Sequence, residues 1–138
     1  MASLTLEESE QILAAAQAKV AEMGVKLSVS VVDPRGDLIA MFRTDGASWR
    51  TPYISRAKAV AASCFGQPSA DLEERANSPV FRGLMAMEGG HMIPGQGALP
   101  VYRDGEVVGA VGGSGGTGQQ DEGAARAGSE ALGLRSTP

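Results

Sequence analysis

The stretch "LPVYRDGEVVGAVGG" (residues 99–113) carries two runs of strand-forming residues on either side of Asp104-Gly105. Asp-Gly readily takes the positive φ of a two-residue turn whose twist matches that of paired strands, so the stretch predicts a β-hairpin. A second hairpin is predicted upstream. In "VKLSVSVVD" (25–33), Val25, Leu27, Val29 and Val31 alternate with Lys26, Ser28 and Ser30, the period-two pattern of a half-buried strand. "DPRGD" (33–37) turns the chain through Pro34 and Gly36, with Asp33 shaping the turn, and "LIAMFR" (38–43) returns as the partner strand.

Helices are predicted around these hairpins. "SLTLEESEQILAAAQAKVAEMG" (3–24) has Thr5 and Glu8 at capping-box spacing and an apolar stripe of Ile12, Leu13, Ala16, Val20 and Met23, with Gly24 as the stop. "TPYISRAKAVAASCFG" (51–66) places Thr51 as a possible cap, Pro52 at the first helical position and Gly66 beyond the end. A short helix fits "SADLEERA" (69–76), and "TGQQDEGAARAGSEALG" (117–133) is a last helix with Asp121 and Glu122 near its positive end. "VFRGLMAM" (80–87) is apolar, short and broken by Gly83, and reads as strand or helix. Counted as a strand, it makes five. The fold class is α/β: one domain over residues 1–138, a central antiparallel sheet of two hairpins plus that fifth strand, and helices packed on it.

Composition narrows the function. The net charge is −4 and Lys and Arg do not cluster, so a nucleic-acid partner is not expected. No apolar run approaches the ~18 residues that span a bilayer. No basic region followed by an apolar run opens the chain, so no membrane partner and a cytoplasmic location are expected. One cysteine excludes an internal disulfide and a Cys-based zinc site. That residue, Cys64, reads as a small core residue.

"GVKLSVSVVDPRGDLIAMFRTDGA" (24–47), "SRAKAVAASCFGQPSADL" (55–72), "GQGALPVYRDGEVVGAVGGSGG" (95–116) and "QDEGAARAGSEAL" (120–132) resemble the GlcG/HbpS family of haem-degrading or haem-binding proteins. That family includes the C-terminal domain of PduO-type proteins, and the resemblance covers roughly residues 5 to 133. It implies a compact α/β domain assembling into a homo-oligomer, from dimer to octamer. It also implies haem or a related tetrapyrrole as the possible cofactor. Family likeness speaks to the fold more than to the activity.

Four candidate sites follow. "GGSGGTGQQDE" (112–122) runs from a strand into a helix and exposes backbone N–H groups, a place that favours carboxylates and phosphates. Gly113, Ser114, Gly115 and Gly116 are its candidate ligand contacts, and tight packing is the alternative. The loop "EGGHMIPGQGAL" (88–99) holds the only histidine. His91 is open to three readings: axial metal ligand to a haem iron, acid–base catalyst, or a solvated loop residue. Met85, Met87 and Met92 around it suggest a soft apolar wall. Lys58 together with Arg43 could neutralise a carboxylate, or Lys58 could be a catalyst or a salt-bridge partner. Asp121 either stabilises its helix or acts as a general base. Asp71 and Glu74 resemble an acidic iron-binding patch of some family members, with a solvated face as the alternative. The functional expectation is a protein binding haem or another carboxylate-bearing small ligand in a Gly-rich pocket. The alternative is a cofactor-free isomerase, hydratase or lyase acting on a small organic acid through His91 or Lys58.

Overall fold

The computed structural model describes residues 2–138. Helix α1 (Leu6–Met23) opens with both halves of the capping box: Thr5 Oγ1 accepts from the Glu8 N–H, and the Glu8 carboxylate accepts from the Thr5 N–H. Gly24 ends it in the left-handed region at φ 68°. Strands β1 (Ser28–Val32) and β2 (Leu38–Arg43) form the first hairpin, and β3 (Ala98–Arg103) and β4 (Glu106–Ser114) the second. The hairpins join through their inner strands, β1 against β4, giving one antiparallel sheet in the order β2-β1-β4-β3.

One face of this sheet carries Val29, Val31, Leu99, Val101 and Val111, packed under α1 and α4 (Gly118–Glu130). The other face is covered by α2 (Thr51–Phe65). Strand β1 is therefore buried on both faces, where alternation predicted a polar, solvated side. Ser28 and Ser30 lie under α2, hydroxyl to hydroxyl with Thr51 at 2.8 Å and Ser55 at 2.7 Å. Serine is short enough to let a helix close on the sheet, and each buried hydroxyl finds a partner.

The sheet has four strands. Residues expected as a fifth form helix α3 (Pro79–Met87) instead. Ser78 Oγ accepts from the Phe81 N–H at 3.2 Å and Pro79 sits in the first turn, so the start signals outweigh the apolar run. Only Phe81 of α3 is buried, stacked 5.1 Å from Phe65, while Val80 and Met87 are each 84% exposed. A 3₁₀ segment, Ser69–Arg75, fills the place of the expected short helix and leaves Asp71 and Glu74 in solvent. Cys64 is exposed on α2 rather than buried in the core, and partial desolvation together with the nearby Glu88 charge pushes its thiol pKa up.

Candidate functional site

The glycine-rich end of β4 lies where three elements meet. An ideal Cβ at Gly112 would sit 2.3 Å from the Ser55 carbonyl oxygen of α2, and one at Gly113 would sit 2.6 Å from the Asp121 carbonyl oxygen of α4. At Gly115 (φ 134°) it would sit 2.4 Å from the Lys26 carbonyl oxygen. These glycines let the chain's own backbone segments touch. Their N–H groups are largely spent as well. Gly113 donates to Gly97 O, Gly116 to Asp121 Oδ1 and Thr117 to Gln120 Oε1, at 2.9, 2.9 and 3.0 Å. The packing alternative accounts for the run better than an open anion cradle does.

Lys58 and Asp121 are held together beneath it. Lys58 Nζ donates to Asp121 Oδ2 at 3.1 Å and to Gly113 O at 3.3 Å, and both residues are buried. Gly97 leaves room for this reach, since a Cβ there would lie 2.9 Å from Lys58 Nζ. The pair ties α2 on one sheet face to α4 on the other. Both charges are compensated internally, as a buried pair requires. Arg43 is elsewhere: exposed at the end of β2, it donates to Ala47 O at 3.4 Å and lines a cleft with Gln17, Phe42 and Asp45. Lys58 and Arg43 do not converge.

Two clefts flank the first turns of α2. The larger, about 390 Å³, is lined by Lys26, Ser48, Arg50, Thr51, Ser114 and the Gly115–Gly116 backbone. The smaller, about 240 Å³, is lined by Tyr53, Ile54, Arg56, Ala57, His91 and Ile93. His91 is exposed at its edge, and its ring has no hydrogen-bond partner among the described residues. The Ile93 N–H donates to Ala57 O at 3.1 Å and fixes the loop to the helix. The methionines do not form a wall here. Met92 is buried with Val60, Leu72 and Phe81, Met85 packs on that cluster, and Met87 points to solvent. No group of three or more His, Cys, Asp or Glu side chains that could hold a metal ion occurs among the described residues.

Sequence reasoning missed Lys26, Ser48, Arg50, Tyr53 and Arg56. The available signal was charge: α2 begins after Arg50 and has no acid in its first turn, so a cation stands where the helix end is already positive.

A four-stranded antiparallel sheet between one helix and a helix pair, with both clefts against the single helix, defines a small layered α/β protein. The chain belongs to the HbpS-like family, described as "Haem degrading protein HbpS-like", whose family pattern matches residues 4–130. It is 34% identical over 122 residues to an uncharacterised 15.0 kDa protein of the dhaT-dhaS intergenic region of Citrobacter freundii, covering 88% of this chain and 86% of that one. Among solved structures it is similar to Klebsiella pneumoniae protein ORFY, at 30% identity and TM-score 0.88, covering 96% and 92% of the two chains. The PduOC:heme complex shares the fold at 24% identity and TM-score 0.88, covering 99% of each chain. No helix among the described residues is long and apolar enough to cross a membrane.

Proposed function

We propose that this chain binds haem, or a related carboxylate-bearing ligand, against the groove beside α2, where His91 would ligate the iron and Arg56 would pair with a carboxylate. The observation that carries this reading is the imidazole itself: the one histidine stands unpartnered at the rim of a groove walled by Tyr53, Ile54, Ala57 and Ile93. Neutral imidazole suits haem iron, an apolar wall suits the ring, and a guanidinium pairs bidentately with a carboxylate. When bound, haem would supply an iron centre; this chain's contribution is to hold and orient it. The family description and the haem carried by the PduOC relative support the same ligand class.

At about 240 Å³ the groove is smaller than the ~300–1,000 Å³ that encloses a drug-sized ligand, so it would hold part of a haem-sized ligand and leave the rest to be covered. A homo-oligomer supplies that cover in this reading. Tyr53 of this groove and Trp49, which it meets edge-to-face at 6.3 Å, are 71% and 73% exposed and offer aromatic surface for a second copy. The enzymatic alternative draws less support, because Lys58 is committed to Asp121.

Titration of apo protein with haemin tests the reading. A saturable, shifted Soret band is expected, lost in His91→Ala and weakened in Arg56→Gln. A band that ignores His91→Ala moves the ligand elsewhere, and no specific band at all defeats the haem assignment. Light scattering during the same titration reports whether haem uptake follows assembly.

A further inference from the structure

The larger cleft, at the other side of the α2 N-terminus, is chemically unlike the haem groove. Its walls are polar and cationic, and nothing in the haem reading uses it. Lys26 and Arg50 both line it, and neither has a carboxylate within salt-bridge distance among the described residues. Asp45, the acid nearest Arg50 in sequence, lines the separate cleft with Arg43, and Glu22, the acid nearest Lys26, pairs with Lys19 at 3.5 Å. The Lys26 side chain lies along the loop, its Nζ 2.9 Å from where a Cβ of Gly46 would be. Helix α2 enters with no side-chain cap and no acid in its first turn, so its partial positive charge is uncompensated on this side.

The hydroxyls supply an independent sign. Ser28 of β1 and Ser114 of β4 are register partners and point to the α2 face. Ser28 is satisfied by Thr51 Oγ1, whose own proton goes to Ser48 O at 2.9 Å. Ser114 is only 5% exposed, yet its hydroxyl has no partner among the described residues, and it lines the cleft. No fully buried side-chain polar atom among the described residues lacks a partner, so this oxygen keeps its small exposure at the cleft, where a bound group would complete its hydrogen bonding. The floor beneath it is fixed, because the Gly116 N–H is held by Asp121.

We propose that this cleft is a binding site for a small organic oxyanion, a carboxylate or a phosphate ester, held by Lys26 and Arg50 as charge partners and by the Ser114 hydroxyl as donor. Its volume, about 390 Å³, lies within the ~300–1,000 Å³ range of small-molecule sites and exceeds what a bare inorganic ion fills. Pro52 has no N–H, and the Thr51 N–H goes to Ser48 O, so the helix contributes mainly its field. The two side-chain cations carry the affinity, which therefore falls with ionic strength.

Calorimetric titration of the haem-free protein at low salt, with succinate and inorganic phosphate as separate probes, decides it. Saturable binding of at least one probe is expected, about tenfold weaker in Arg50→Gln or Lys26→Gln, the effect of losing one hydrogen bond to a charged group. Ser114→Ala, which removes an unpartnered hydroxyl, should weaken binding by less and leave the melting temperature unchanged. His91→Ala should bind as wild type, which separates this site from the haem groove. Preference for succinate assigns carboxylates, and preference for phosphate assigns phosphate esters. Absence of saturable binding up to about 10 mM, or binding indifferent to Arg50→Gln, Lys26→Gln and Ser114→Ala, overturns the proposal.

Discussion

Two glycine-rich segments, 112–116 and 89–97, resemble each other in sequence and are built for different reasons. At Gly112, Gly113 and Gly115 a Cβ would strike main-chain oxygens at 2.3, 2.6 and 2.4 Å, so there the glycines are a packing requirement. Gly89 and Gly90 have nothing within 4 Å of a Cβ and are needed for their φ of 67° and 78°, which turn the chain out of α3 towards His91. The first segment closes helices onto a sheet; the second presents a side chain to solvent. A glycine count therefore says little about binding until each glycine is asked whether space or conformation demands it.

The largest effect is expected at the ion pair under the packed segment. Lys58→Met leaves the Asp121 carboxylate, 2% exposed, without its cation, at a cost of about 3–5 kcal/mol. Denaturant unfolding at neutral pH measures it, and Lys58→Met with Asp121→Leu should recover much of the loss. A penalty under about 1 kcal/mol would put the pair with surface salt bridges and leave the two segments alike. Next comes Gly112→Ala. Its contacts are backbone atoms of α2 that cannot swing aside, so overpacking should cost about 3 kcal/mol and lower the melting temperature by roughly 10 °C.

Alanine in the other setting should behave differently. Gly90→Ala meets no atom but must hold a positive φ, costing about 1 kcal/mol. Gly83→Ala, inside α3 with open space around it, should stabilise that helix by about 0.5–1 kcal/mol. If Gly112→Ala and Gly90→Ala melt together, the distinction between the segments fails. The smallest effect concerns Cys64. Its thiol pKa is raised by desolvation first and by Glu88, the residue before Gly89, second. Glu88→Gln should lower that pKa and speed alkylation at fixed pH by a factor of about two, as a screened surface charge allows.

Much of the architecture was legible because its causes are local. The Asp104-Gly105 turn, the Thr5–Glu8 capping box, the Gly24 and Gly66 stops and the Asp33 turn each act within a few residues, and each stands where its chemistry puts it. Residues 80–87 misled because apolar content marks burial in either kind of element; Ser78 and Pro79, just outside the run, decided for a helix. The site was less legible. His91 was singled out, but its neighbours Tyr53 and Arg56 come from a helix more than thirty residues earlier.

By itself the sequence determined the two hairpins, the first and last helices, the family and the one histidine, all properties of short segments or of residue identity. Only the tertiary structure decided that β1 pairs with β4, that α2 covers the serine face of β1, and that Lys58 meets Asp121 across 63 positions. Those outcomes depend on which surfaces meet once the chain is compact. Such a choice is made by shape and by the need to partner buried polar groups, and neither is written in any one segment.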